Sequence, residues 1–164
     1  MKIGVLSDTH GYLHPQIDSF FSPCSQIWHA GDIGSIDIYQ SLSEGKSLKA
    51  VYGNIDGNDI RLKTAEYLCF EVEHLKVLMI HIGGYPPKYN SRSLQLIEAY
   101  KPDIFVCGHS HILKVKYDER HRLLAINPGA AGRYGFHRAI TFLRFDILNG
   151  QPCNLEVFHE EKSV

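Results

Sequence analysis

The rhythm of the first third of the sequence constrains the fold most: three apolar runs are separated by two helix-like segments. Lys2–Leu6 is almost continuously apolar, the pattern of a strand covered on both faces. Pro15 can sit in the first turn of a short helix running to Phe21, and Ser22-Pro23 breaks it. Ile27–His29 reads as a second strand, Ser35 as the N-cap of a helix to about Leu42, and Leu48–Tyr52 as a third strand. This strand-helix-strand repeat implies right-handed parallel crossovers. In such sheets ligands bind just outside the carboxyl ends of the strands. Asp8, Asp32 and Asn54 stand at those ends.

The pattern then changes. Tyr67–Val72 and Leu75–Ile80 read as a hairpin around Glu73-His74, its second strand ending at His81. Residues 83–90 form a loop rich in Gly, Pro and Tyr. Ser91 or Ser93 is expected to cap a helix to about Tyr100, with Pro102 beyond its end. Ile104–Cys107 reads as a buried strand ending in Gly108-His109-Ser110-His111. Two further hairpins are expected, Leu113–Tyr117 with Leu123–Ile126, and Ala139–Asp146 with Asn154–His159 through Asn149-Gly150. No repeat, low-complexity segment or linker divides the chain, so residues 1–164 are read as one domain.

Composition excludes several classes of function. The net charge of -1 provides no basic field for a nucleic-acid polymer, so any phosphate recognition must be local. The four cysteines are dispersed without a C-x-x-C pair, and Cys107 reads as core. A reducing, cytoplasmic setting fits them best. The N-terminus does not read as a signal peptide, and no apolar run approaches the ~20 residues of a membrane span.

A carboxylate placed just past a core strand, as Asp32 is after Ile27–His29, is costly unless something pairs with it. Six more donors lie at strand ends or in loops: Asp8, His10, Asn54, His81, His109 and His111. We read Asp32 as bridging two metal ions, with these six completing the two shells. Mixed N/O donors without thiolate suit Mn, Fe, Zn, Co or Ni, whereas Ca and Mg prefer more oxygen. Two ions about 3.5–4 Å apart can hold a bridging hydroxide and grip both sides of a phosphoryl group. Taken singly, each piece has a bland reading; His81 alone would be a satisfied core histidine, and Gly53-Asn54 a left-handed turn.

The succession D-x-H, G-D, G-N, an isolated His, then G-H-x-H resembles the calcineurin-like metallophosphoesterase family. The short chain, with Asn127-Pro128-Gly129 after the last motif, is similar to the family's small bacterial and archaeal phosphodiesterase branch, itself related to a retromer scaffold subunit. The resemblance implies an α/β fold, a four-layer α-β-β-α sandwich with mixed sheets. It implies one ion on Asp8, His10, Asp32 and His111, and another on Asp32, Asn54, His81 and His109. Two divalent ions are expected, manganese first, with Fe, Zn, Ni or Co as alternatives. Asn54 and His109 are the members assigned to the reaction itself.

The chain departs from the family at two positions. Ile55 stands where many members have a histidine that serves the leaving group, and Ala130 where the branch commonly has serine. His137, Tyr85 and His14 are the candidate replacement acids, each with a packing or surface reading beside it. His29 and Asp56 could orient ligands, Arg133 could clamp phosphate, and Lys88 and Tyr89 could line the cleft. The expected activity is hydrolysis of a small, nucleotide-like phosphodiester. The alternatives are a phosphomonoesterase and a protein-binding scaffold with a structural metal site, and the oligomeric state stays open.

Overall fold

A computed structural model describes residues 1–163; Val164, the last residue of the expected domain, lies outside the described residues. The elements run β1 (Lys2–Leu6), α1 (Ile17–Phe21), β2 (Gln26–His29), α2 (Ile36–Ser43), β3 (Ser47–Ala50), α3 (Asn58–Arg61), β4 (Tyr67–Val72), β5 (Leu75–Ile80), β6 (Gly84–Tyr85) and β7 (Lys88–Tyr89). Then follow α4 (Ser91–Tyr100), β8 (Ile104–Val106), β9 (Leu113–Asp118), β10 (Leu123–Pro128), β11 (Ala139–Leu148) and β12 (Gln151–Glu161).

Two mixed five-stranded sheets result, ordered β12-β11-β1-β2-β3 and β4-β5-β8-β10-β9. As the rhythm implied, β1, β2 and β3 are mutually parallel, and β11 closes the other side of β1 antiparallel. In the second sheet β5, β8 and β10 are parallel, flanked by antiparallel β4 and β9.

The pleat divides each strand's side chains between two faces. Ile3, Val5, Trp28 and Phe145 of the first sheet meet Val77, Met79, Val106 and Ile126 of the second. The outer face of the first sheet packs on Ile17 and Phe21 of α1 and on Ile38 and Leu42 of α2. The outer face of the second presents Leu78, Phe105 and Ala125 to Leu96 and Ile97 of α4. Three apolar clusters therefore separate four layers, α-β-β-α. Both faces of the central strands are covered, which is why they read as continuous apolar runs rather than alternating ones.

Some boundaries move. Helix α1 begins at Ile17, two residues past Pro15, because His14 to Ile17 forms a turn of its own. Helix α4 is capped by Asn90 and by neither serine: its side-chain oxygen accepts from the N–H groups of Arg92 and Ser93. Ser93 is buried and its hydroxyl donates to Ile82 O at 3.0 Å. The short α3 was not anticipated, and the loop over residues 83–90 contains the small β6–β7 hairpin. At the last hairpin, Asn149 and Gly150 both take positive φ, as a tight primed turn requires.

Replacing Asn90 by Ala should lower unfolding free energy by about 1 kcal/mol, the usual cost of losing a side-chain cap. Ser91→Ala should change it by far less. Urea denaturation of the two variants tests this; equal midpoints would mean that Asn90 is not the cap.

Candidate metal centre

The loops leaving β1, β2, β3, β5 and β8 converge at one edge of the two sheets. They are laced together by backbone bonds: Asp8 N–H to Gly31 O at 2.9 Å, His10 N–H to Asp32 O at 3.0 Å and Gly108 N–H to His81 O at 2.9 Å. The backbone is unusual here. Asp8, His10, Asp32, His109 and His111 all take positive φ, between 47° and 68°. Asp and His tolerate the left-handed region better than most residues, but each instance still costs of order 1–3 kcal/mol. Two glycines let the loops approach: a Cβ on Gly53 would fall on the Asp32 carboxylate, and one on Gly108 on the Ser7 hydroxyl.

All seven expected donors are brought together. His111 Nε2 lies 3.2 Å from Asp8 Oδ1, and His10 Nε2 lies 3.8 Å from the same oxygen and 3.7 Å from Asp32 Oδ2. His81 Nε2 lies 3.3 Å from Asp32 Oδ2 and 3.1 Å from Asn54 Oδ1, and the His109 ring packs edge-on against His81. Two compact sets form, Asp8/His10/His111 and Asp32/His81/His109. The Asp32 carboxylate reaches both.

Two buried atoms in this cluster have no hydrogen-bond partner, Asp8 Oδ1 and His10 Nε2. Leaving a buried acceptor unpaired costs about 1–3 kcal/mol, more if it is charged. Acceptors converging on common points without donors between them are the arrangement that a cation satisfies. The remaining chemistry agrees. Burial pushes the Asp8 carboxyl up, but His111, His81 and the Ser7 hydroxyl outweigh it and hold it below the usual range. Asp32 is likewise held low against burial by His81 and the Ile55 N–H. Burial pushes His10 down toward its neutral form. The His81 Nδ1–H donates to Ala30 O at 2.7 Å, which turns Nε2 toward Asp32 and Asn54. Anionic carboxylates and neutral imidazoles are the forms that bind divalent metals. His81 is the exception: burial would lower it, yet the facing carboxylates raise it.

A second layer braces these groups. The Asp56 carboxylate accepts from the N–H groups of Ile33, Gly34 and Gly53, tying the Asp32 loop to the Asn54 loop. His29 accepts from Gly31 N–H and donates to the Thr9 hydroxyl, and burial pushes it down to about 4. Both contact the loops that carry the donors, Asp56 through three backbone N–H groups and His29 through Gly31 and Thr9.

The other candidates fall elsewhere. His14 is buried against Phe142 and Phe158, in the layer between the first sheet and its helices, with Glu160 as its partner. Tyr85 carries Lys114 over its ring, and Arg133 stacks on Tyr12. Tyr89 donates to Asp118 and packs on Phe105, away from the donors, while Lys88 projects from the β6–β7 hairpin. His137 does reach the site, but both of its ring nitrogens are engaged there, with Gly132 O and His111 Nδ1.

Sequence reasoning missed the walls around the donors. A cavity of about 260 Å³ opens beside Asn54 and His81, lined also by Tyr52, Arg61, Ile82 and Arg92. Ile55, Ile82 and Ile112 each follow a donor directly and stay exposed, and Tyr134 packs over His10. The signal was available: an isoleucine follows each of Asn54, His81 and His111.

Residues 1–150 match the family described as calcineurin-like phosphoesterase superfamily domain. The chain is 30% identical over 135 residues to a probable metallophosphoesterase of Methanothermobacter thermautotrophicus, spanning 79% of this chain and 77% of that protein. A solved archaeal phosphodiesterase superposes with a TM-score of 0.77 at 25% identity, covering 96% of this chain and all of that one. Vacuolar protein sorting 29 of Cryptosporidium parvum shares the fold, with a TM-score of 0.68 at 19% identity and 98% of each chain covered.

Gly53→Ala should damage the centre and spare the distant core. Overpacking of this kind costs about 1–3 kcal/mol, and displacing the Asp32 carboxylate should weaken divalent-metal uptake by about tenfold or more. Denaturation and metal titration of the purified variant give both values; unchanged uptake would show that the loops absorb the extra carbon.

Proposed function

This chain belongs to the calcineurin-like phosphoesterase superfamily, and we propose that it is a phosphodiesterase working through two divalent transition-metal ions, manganese first among them. Asp8, His10, Asp32 and His111 would hold one ion, and Asp32, Asn54, His81 and His109 the other. The observation that carries this reading is the convergence of seven N/O donors around Asp8 Oδ1 and His10 Nε2, two buried atoms without a hydrogen-bond partner among the described residues. When bound, such a pair lowers the pKa of water toward ~7 and neutralises charge on the phosphoryl group.

The chain's own residues divide the remaining work. Asp8 and Asp32, fully and almost fully buried, fix the base of the site, while Asn54 and His109 are its solvent-exposed members and face incoming substrate. Asp56 and His29 hold the loops so that the donors are preorganised. Among the described residues, neither Ile55 nor His137 supplies a leaving-group acid: Ile55 is apolar and the His137 ring is occupied. A diester has a second arm, and both the cavity beside Asn54 and His81 and the apolar rim around the donors give that arm a place to lie. The similarity to a solved archaeal phosphodiesterase supports the same choice. A scaffold that had given up chemistry would be free to lose donors; here the full set remains.

The metal-saturated protein should contain two ions per chain, and Asp32→Ala should lose both, because the ligand shared between two like charges is gone. Elemental analysis decides, and a single tight ion at saturating Mn would overturn the dinuclear reading.

With Mn the protein should hydrolyse bis(p-nitrophenyl) phosphate, and chelation should abolish turnover. Rates on a series of diesters should fall steeply as the leaving-group pKa rises, because general-acid help is typically worth 10²–10⁴-fold and none is in place. Ile55→His should recover part of that help on alkyl esters and little on nitrophenyl esters. A flat series with chemistry rate-limiting would place an unrecognised acid in the site. Faster turnover of monoesters than of every diester would favour a phosphomonoesterase, and no turnover of any ester by loaded protein would favour the scaffold.

A further inference from the structure

His137 belongs to none of the motifs, yet it touches the centre through one ring. Its Nε2 lies 2.9 Å from Gly132 O, and its Nδ1 lies 3.1 Å from Nδ1 of His111, with the two rings nearly perpendicular and 4.9 Å apart. Gly132 O can only accept, so Nε2 of His137 carries the hydrogen. The Nδ1 of a neutral His137 is then an acceptor, and the hydrogen between the rings sits on Nδ1 of His111. That directs Nε2 of His111 at Asp8 Oδ1, 3.2 Å away, on the side where a cation would sit.

From this chain of contacts we infer that His137 is a positioning residue: it fixes His111 in the Nδ1–H tautomer and aims its Nε2 at the ion shared with Asp8 and His10. The local backbone is built for this contact. Gly135 takes φ of +120°, and a Cβ there would lie 2.6 Å from His111 Nδ1 and 3.1 Å from His137 Nδ1. Gly132 in turn is tied to the loop after β1 through its N–H bond to Asp8 O. Lys162 clamps the segment from outside by donating to Gly135 O. The relay is therefore anchored at one end on the loop that carries Asp8 and at the other on His111. His81 is oriented by a backbone carbonyl, Ala30 O; among the described residues His111 has no such carbonyl, and His137 extends the reach of Gly132 O by one ring. Partners of this kind typically change metal affinity by about 10–100-fold.

This inference rests on the proposed metal centre, and its test separates the two. Nitrogen-15 NMR of the imidazoles in metal-free protein should show wild-type His111 as the Nδ1–H tautomer and His137 as Nε2–H. In His137→Ala the His111 resonances should shift toward a tautomer mixture. Competition titration with Mn and a chromogenic chelator should then show one of two ions weakened by about 10–100-fold in His137→Ala, with the second ion little changed. His137→Asn, which can offer Oδ1 in place of Nδ1, should recover most of the loss. A residue that merely supports the loop would lower the melting temperature without moving the tautomer or splitting the two affinities. His111 found as Nε2–H in the wild type, or unchanged affinity for both ions in His137→Ala, overturns the inference and leaves the metal centre standing. Fewer than two ions in the wild type overturns the metal centre and leaves the tautomer assignment to be decided by the metal-free spectrum. Should the alanine variant fail to fold, that wild-type spectrum and the asparagine variant decide.

Discussion

One carboxylate kept entirely out of water organises this edge of the molecule. Asp8 is fully buried, and its Oδ2 is satisfied by the Ser7 hydroxyl at 2.6 Å and the His109 N–H at 3.0 Å. Its Oδ1 has no hydrogen-bond partner among the described residues. An ionised, half-satisfied carboxylate in the interior is destabilising by several kcal/mol unless positive charge comes to it. Three imidazole nitrogens stand 3.2–4.0 Å from that oxygen. Histidines arranged in this way can answer the charge by taking up a proton or by sharing a cation, and the orphaned lone pairs on both sides favour the cation. The fold's stability at this edge and its chemistry are thus two aspects of one electrostatic problem.

Meeting that problem requires a backbone that a strand cannot supply. The strands deliver five loops to one place, but extended residues would throw their side chains alternately up and down. Left-handed conformations at Asp8, His10, Asp32, His109 and His111 turn the chain so that donors converge. Such conformations persist only where the surroundings over-determine them. Here the surroundings are the backbone lacing between the loops, the Asp56 carboxylate under Ile33, Gly34 and Gly53, and the His29 bridge from Gly31 to Thr9. Three apolar clusters behind the edge hold the strands still, so the strain is carried by a rigid base.

Sequence revealed what depends on local pattern and hid what depends on closure. The hairpin strands Tyr67–Val72 and Leu75–Ile80 were legible to the residue, because apolar runs and a polar turn define them. The gathering of the seven candidate residues at one edge was legible because their segments follow such runs. The cap of α4 was misplaced because Asn90, Ser91 and Ser93 are all good caps, and only the fold turns Ser93 inward to Ile82 O. Helix α3 is a single turn held by Arg61 against Asp56 O and Gly53 O, a tertiary bond with no local signature. His14, Tyr89 and Arg133 looked equivalent to His137 in sequence, since polar rings and guanidinium groups near motifs carry no address. Their separation into packing residues and a residue at the site needed the return of residues 130–137 to the loop of Asp8, a contact across more than a hundred positions.

The distribution of exposure across the site argues for what it discriminates. Charge is concentrated at the bottom, where Asp8 and Asp32 are buried, while the surface beside the donors is apolar: Ile55 is 47% exposed, Ile82 38% and Ile112 55%. The two arginines nearest the second donor set are already engaged, Arg61 with backbone carbonyls and Arg92 with Glu66. Arg92 is paired with a carboxylate, while the Arg61 guanidinium keeps its charge and has its donors committed to neutral carbonyls. A phosphodiester brings one charge and two arms, and apolar surface next to the reacting centre rewards the burial of an arm at about 25 cal/mol per Å². On the proposed diesterase reading, with no acid in place among the described residues, the leaving group would have to be intrinsically good, and the apolar rim would suit a flat or hydrophobic retained group. Selectivity would then follow from what the site omits as much as from the donors it assembles.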